Sequence, residues 1–393
     1  MFSRRTAWDR THNRLTGALE RRRREGSPVL DLTESNPTRV GLIYPAQAIL
    51  NPLAGSESLR YDPDPRGSVA ARQAVARTYA ERGVIIDPEN LLLTASTSEA
   101  YGWLFKILTD PGDEILIPRP SYPLFDYLAR LESLEVIPYP LLPEEGWAID
   151  LGAIERCLSP RSRAVVLVSP NNPTGSYVKR DQLRWLDSLC SKRGIALIGD
   201  EVFAEYPHGE DPERAAVLDA QQTLVFGLGG LSKLAGLPQM KLGWVAMGGP
   251  DALKEEARER LELVADTYLS VNTPVQTSAA TLLEAGRSIR DSIRRRIGAN
   301  LGCLASTFSG PSPCRAPSPE GGWSAVVQVP SVMSEEEWAI SLLEQDGVLV
   351  YPGFFFDFPK PTYLVLSLLP EEDVFRTGLE RIAARAGGCP AKP

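Results

Sequence analysis

The chain has 393 residues, a formal net charge of −8, 43% hydrophobic residues and 23% charged residues. That length suits a large domain with a smaller companion, and the ordinary globular composition excludes bulk disorder. The acidic balance argues against a nucleic-acid partner, five scattered cysteines without a CxxC pair fit a reducing compartment, and two histidines, His12 and His208, offer no metal-ligand spacing.

In chain order, residues 6–25 read as a helix ending at Gly26, with Arg21-Arg22-Arg23-Arg24 as its solvated end. Residues 29–32 are a short apolar run before the turn-rich Ser35-Asn36-Pro37-Thr38, and residues 45–67 are rich in proline and glycine. Residues 68–82 read as a helix closed by Gly83, residues 90–94 as a strand and residues 99–108 as a helix. Strand and helix then alternate, with strands at 114–117, 135–139, 164–169, 196–199, 223–227 and 243–247, and helices at 123–131, 151–157, 181–193 and 250–265. Apolar strands alternating with helices predict an α/β fold with a mostly parallel, seven-stranded sheet covered on both faces. The last third reads as α+β: helices at 273–285, 288–306, 335–345 and 371–386, strands at 323–329, 348–351 and 363–367, and a proline-rich loop at 311–319. His208 falls in a loop rich in proline, glycine and glutamate, which argues against catalysis by it. No apolar run approaches the roughly 20 residues that span a bilayer, and MFSRRTAWDR is not followed by an apolar stretch, so no membrane contact and a cytoplasmic location are expected.

Four clusters sit at the ends of predicted strands, where open α/β sheets bind their ligands. In Gly229-Gly230-Leu231-Ser232-Lys233-Leu234-Ala235-Gly236, Lys233 can project into a cleft and form a Schiff base with an aldehyde cofactor, although a lysine in a glycine-rich loop is more often solvated. Asp200, closing Ile198-Gly199-Asp200, suits a carboxylate that pairs with a protonated pyridine nitrogen; taken alone, a helix cap is the plainer reading. Ser169-Pro170-Asn171-Asn172-Pro173-Thr174-Gly175 is a rigid loop whose amide can reach a phenolic oxygen, or a simple turn. In Thr94-Ala95-Ser96-Thr97-Ser98-Glu99-Ala100, hydroxyls and first-turn N–H groups make a phosphate cradle, compatible with a Ser96–Glu99 capping box.

Together, and in this order, the clusters resemble the class I/II aminotransferases of pyridoxal-phosphate fold type I, from about residue 28 to residue 385. SPNNPTG, GDEVFAEY and GLSKLAGLPQMKLGW are the most specific stretches. The resemblance implies a pyridoxal 5'-phosphate cofactor and transfer of an amino group between an amino acid and a 2-oxo acid. It makes Lys233 the Schiff-base lysine and proton shuttle, and Asp200 the partner of the ring nitrogen. Asn172 holds the phenolic oxygen, with the substrate carboxylate as a second contact. Tyr122 stacks on the ring, Ser96, Thr97 and Ser98 bind the phosphate, and Ser232 and Phe203 lie against the cofactor. Tyr61 would reach the phosphate of a neighbouring subunit, which implies a homodimer with shared sites. The implied division is an N-terminal arm and part of the small domain at 1–45, a large cofactor-binding domain at 46–270 and a C-terminal small domain at 271–393.

The sequence departs from the family's pattern at four places. Phe203 stands where a tyrosine usually bonds the phenolic oxygen, so the imine loses a hydrogen bond and its pKa should rise. Lys241 replaces an arginine on the phosphate, keeping charge without the bidentate fork, and Gly230 replaces a serine. Most consequentially, Val365 occupies the position of the arginine that grips the substrate carboxylate. Either another arginine takes that role, with Arg39, Arg66 and Arg119 as candidates and Arg39 foremost because its segment corresponds to the one that closes over the substrate, or the substrate lacks an ordinary free α-carboxylate. Val365 also keeps open a lyase, a decarboxylase or a condensing enzyme on the same fold. Tyr351-Pro352-Gly353-Phe354-Phe355-Phe356 resembles an active-site turn, but its aromatics read more simply as core packing than as the lining of an apolar pocket.

Overall fold

The computed structural model describes residues 1–310, 312–360 and 362–388. Pro311, in the proline-rich loop, and Cys389 lie outside the described residues. The strands are β1 (Leu30–Asp31), β2 (Leu91–Thr94), β3 (Glu114–Arg119), β4 (Glu135–Leu142), β5 (Ala148–Ile149), β6 (Ser162–Val168) and β7 (Ala196–Asp200). They continue with β8 (Val225–Gly230), β9 (Gly243–Gly248), β10 (Ser324–Gln328), β11 (Val348–Leu349), β12 (Tyr351–Pro352) and β13 (Tyr363–Ser367).

The large sheet has eight strands in the order β2-β9-β8-β7-β6-β3-β4-β5. The expected count of seven is corrected by β5, a two-residue antiparallel edge strand on β4 that is too short to show a pattern in the sequence. Neighbours from β8 through β7, β6 and β3 to β4 are parallel, while β9 runs antiparallel between β8 and β2. Successive side chains alternate across a strand. Ile115, Ile117, Val166, Ile198 and Phe226 therefore pack on one face with Tyr101, Leu104 and Phe105 of helix Thr97–Leu108. Leu116, Val165, Leu167, Leu197 and Val225 pack on the other with Leu183, Leu186 and Cys190 of helix Arg180–Arg193. Strands buried on both faces explain the unbroken apolar runs.

The register fixes where ligands can sit. Gly243, the first residue of β9, pairs with both Thr94, the last of β2, and Gly230, the last of β8. The segments carrying Ser96 and Lys233 therefore leave the sheet side by side.

In the remaining part, β10, β13 and β12 form a three-stranded antiparallel sheet, and β1 pairs in parallel with β11. The expected strand at 348–351 is thus two short ones with different partners. The helices expected at 273–285 and 288–306 are one continuous helix, Thr273–Phe308. Gly286 does not break it: a Cβ there would run into Ala235, so the glycine permits close packing against the turn that follows Lys233. The first helix covers only Arg14–Arg24, capped by Asn13, after a separate turn at Arg4–Thr6. The stretch at 45–67 contains an unforeseen helix, Ala46–Leu53. Among the described residues no helix is long and apolar enough to cross a membrane, and no group of histidine, cysteine, aspartate and glutamate could hold a metal ion.

Candidate active site

A cavity of about 640 Å³ opens at the ends of β2, β7 and β8 and is closed on its far side by β13 and the turn after β12. Ser96, Thr97, Ser98, Tyr122, Asn172 and Asp200 line it, as do Phe203, Ser232, Lys233 and Lys241.

Lys233 lies in the short helix Leu231–Leu234 just past β8. Its backbone carbonyl accepts a hydrogen bond from Tyr206 Oη at 2.6 Å, which fixes the turn. Its Nζ sits 4.9 Å from the Trp323 ring centroid and 5.4 Å from that of Phe203. Burial lowers its pKa, and the Asp200 charge only partly offsets this, so the free amine is favoured beyond that of an exposed lysine.

Asp200 ends β7. Its carboxylate accepts from Tyr101 Oη at 3.2 Å and from Val202 N at 3.3 Å. Burial pushes its pKa up to about 6, against the opposing pull of these hydrogen bonds and of Lys233. A desolvated acid raised that far is short of a cation, which is what a protonated ring nitrogen would supply.

At the opposite end, Ser96 caps helix Thr97–Leu108, its hydroxyl accepting from Glu99 N at 3.2 Å. Only this half of the anticipated capping box forms, because the Glu99 carboxylate instead accepts from Ala95 N at 2.7 Å and Ser270 Oγ at 2.7 Å. Thr97 and Ser98 are the first helical residues, whose N–H groups have no intrahelical acceptor and carry the positive end of the helix dipole. A Cβ at Gly243 would stand 3.0 Å from the Ser96 carbonyl carbon and 3.0 Å from Thr94 Oγ1, so the glycine keeps this cradle compact. Lys241 adds a cation from a left-handed backbone position, φ 54°. The Asn172 carbonyl oxygen accepts from Ser324 Oγ at 3.2 Å, leaving the amide N–H groups for a ligand. An anion cradle, an amide donor, a lone acid and an amine, both half-buried, around one cavity fit the ring, phosphate and aldehyde of pyridoxal phosphate.

Three sequence candidates, Arg39, Arg66 and Arg119, are not brought to this cavity, and Tyr61, expected at a neighbouring subunit's phosphate, lies apart from it. Tyr61 is 75% exposed and borders a separate hollow with Ser270 and Gln276. Arg39 is exposed at the end of the turn Pro37–Arg39, although Thr33 and Ser35 of the same segment do line the cavity. Arg66 is ion-paired with Glu89 at 2.7 Å and Glu262 at 3.1 Å. Arg119 is held by Asp126 at 2.7 Å and Asp357 at 2.9 Å. His208 also lies outside, and burial lowers its pKa to about 4. The reading of the aromatic turn as core packing is corrected: Tyr351, Phe355 and Phe356 line the cavity, and so does Val365.

Tyr101 and Trp323 are site residues that the sequence did not reveal. Tyr101 reads as one more apolar residue of an amphipathic helix. Trp323 packs edge-on against Phe203 at 5.3 Å and Tyr206 at 5.1 Å. Its only sequence signal is the glycine pair before it, Gly321-Gly322, where the first would collide with Tyr177 if it carried a Cβ.

Residues 28–382 match the family model for aminotransferase class I and II. The chain is 24% identical over 371 residues to the glutamate–pyruvate aminotransferase AlaA of Escherichia coli, covering 93% of this chain and 92% of that one. It is 29% identical over 385 residues to the arginine–pyruvate transaminase AruH of Pseudomonas aeruginosa, covering 96% and 93%. The structure of an alanine aminotransferase from Pyrococcus furiosus superposes with a TM-score of 0.88 at 22% identity, covering 99% of this chain and 100% of that one. The matched span takes in β7, β8 and the helix Thr97–Leu108, and the chain belongs to the class I and II aminotransferases.

Proposed function

We propose that the protein is a transaminase that moves an amino group between an amino acid and a 2-oxo acid, with pyridoxal 5'-phosphate in the cavity described above. The supporting observation is the joint presence of a half-buried amine of lowered pKa, Lys233, and a half-buried acid of raised pKa, Asp200, on one cavity. The cofactor, when bound, supplies an electron sink for negative charge at the substrate Cα.

The chain's own groups do the rest. Ser96, Thr97, Ser98 and Lys241 anchor the phosphate, Asn172 donates to the phenolic oxygen and Tyr122 covers the ring. Asp200 holds a proton on the ring nitrogen. The Lys233 amine would be the covalent anchor and, once released, would take the proton from the substrate Cα and return it to the cofactor's aldehyde carbon on the other side of the amino nitrogen. In this reading residues 46–270 form the cofactor-binding domain, while residues 1–45 and 271–393 form the smaller one. A second copy of the chain supplies Tyr61, and the absence of a cysteine-pair pattern suits the cytoplasm.

A second reading, a lyase or decarboxylase on the same scaffold, is favoured by one observation: among the described residues no arginine lines the cavity. The test of both is a single turnover. Cofactor-loaded protein mixed with an amino acid, without acceptor, should lose its visible band and release a 2-oxo acid in equal amount. Release of CO₂ or of a side-chain fragment instead would select the second reading.

A further inference from the structure

The two ends of the cavity differ in chemistry. One end has hydroxyls, N–H groups and Lys241. The other is walled by Trp323, Tyr351, Phe355, Phe356 and Val365. Lys233 and Lys241 are the only cations among the described lining residues, and Asp200 is the only acid. Both lysines are committed in the transaminase reading, one to the amine chemistry and one to the phosphate. Arg119 is the guanidinium nearest in sequence to Tyr122. It is bound to Asp126 and Asp357 and is not available to an incoming carboxylate.

The aromatic wall is not saturated by its own packing. Tyr351 is 37% exposed and the adjoining Phe354 is 46% exposed. The Tyr351 and Phe355 centroids stand 6.0 Å apart, and those of Phe354 and Phe355 stand 4.8 Å apart. Exposed aromatic surface at a cavity mouth gains most from a ligand that covers it with apolar area. One carboxylate can be left to the Asn172 amide, but a second, on the side chain, would lose its water at the aromatic wall with no cation to replace it.

We propose that the amino donor carries an aromatic or bulky apolar side chain, that the Tyr351–Phe356 turn with Val365 is the element that selects it, and that dicarboxylic donors are excluded. The proposal rests on the transaminase reading for the reaction, but not for the binding preference. Two measurements test it. In the first, single-turnover kcat/KM is compared for phenylalanine, tyrosine and leucine against glutamate, aspartate and alanine, and the apolar group should lead by about 10-fold or more. Glutamate, aspartate or alanine as the best donor would overturn it. In the second, the cofactor-loaded protein is heated with 3-phenylpropionate or with glutarate, which cannot react. The former should raise Tm and the latter should not, and the reverse order would overturn the proposal whatever the catalytic outcome. Failure of every donor to react would refute the transaminase reading alone and leave the two analogues to decide the binding preference. Phe355→Ala should narrow the phenylalanine-to-alanine ratio of kcat/KM by about 10-fold, and an unchanged ratio would remove the turn from the selecting role.

Discussion

Tyr101 donates its phenolic hydrogen to Asp200 Oδ2 across 3.2 Å, from a buried ring to a half-buried carboxylate at the cavity wall. The same helix, Thr97–Leu108, begins at the Ser96 cradle, so one rigid element sets the distance between the anion-binding end of the cavity and its acid. Tyr101→Phe removes a donor from this half-buried carboxylate. The expected result is an Asp200 pKa above about 6 in the cofactor-free protein, measured by carbon-13 NMR of labelled aspartate.

Asp200 also makes a stability prediction. Its pKa rises from 3.8 to about 6 on folding, so the folded state holds the proton more tightly. That contribution is present below pH 3.8 and is lost as the pH climbs to about 6, a change worth about 3 kcal/mol. In the cofactor-free protein, Asp200→Asn should therefore gain stability relative to the parent across that window and keep the gain above it. Urea unfolding at several pH values measures the gap, which should be near zero at the acid end.

Lys233 works with the opposite sign. Its folded pKa lies below 10.5, so burying the amine costs stability at neutral pH, and the cost fades as the pH approaches the unfolded value. Lys233→Met should raise the Tm of the cofactor-free protein at pH 7, by an amount that shrinks toward pH 10, while abolishing amino transfer. A lower Tm at pH 7 would contradict the assigned burial cost.

Phe203 presents a bare ring edge to Trp323 beside the Lys233 amine. Phe203→Tyr adds a hydroxyl donor at the cavity. A neutral hydrogen bond is worth about 1 kcal/mol, so the pH midpoint of the visible band of the loaded enzyme should fall by about one unit. Spectral titration of the two proteins checks this.

Arg119 joins the loop bearing Tyr122 to the turn bearing Phe355 and Phe356, through Asp126 on one side and Asp357 on the other. Ser121 N adds a bond to Phe356 O at 3.0 Å. Arg119→Ala should cost about 1–3 kcal/mol in urea unfolding and raise KM more than it lowers kcat. Arg119→Lys should restore part of the stability, because one ammonium can serve one carboxylate but not the fork.

Lys233, Asp200, Asn172 and Ser96 were legible because each follows an apolar strand, and the ends of parallel strands converge whatever lies between them in sequence. Tyr101 and Trp323 were not, because their roles arise from contacts with residues 99 and 90 or more positions away that leave no local trace. The strand Ala148–Ile149 is shorter than any period can register. The helix Thr273–Phe308 read as two, 273–285 and 288–306, because the reason for the glycine between them, the approach of Ala235 to Gly286, lies on another segment. Arg119 looked available for a substrate because its two acidic partners, one of them Asp357, cannot be inferred from the sequence around it.

The identity of the covalent anchor tests the account most directly. Cofactor-loaded protein is reduced with borohydride and digested, and the modified peptide is sequenced by mass spectrometry. A pyridoxyl group on the Nζ of Lys233, absent from Lys233→Met, is the predicted result. Full cofactor loading with the label on another lysine, or with no lysine labelled, would contradict it.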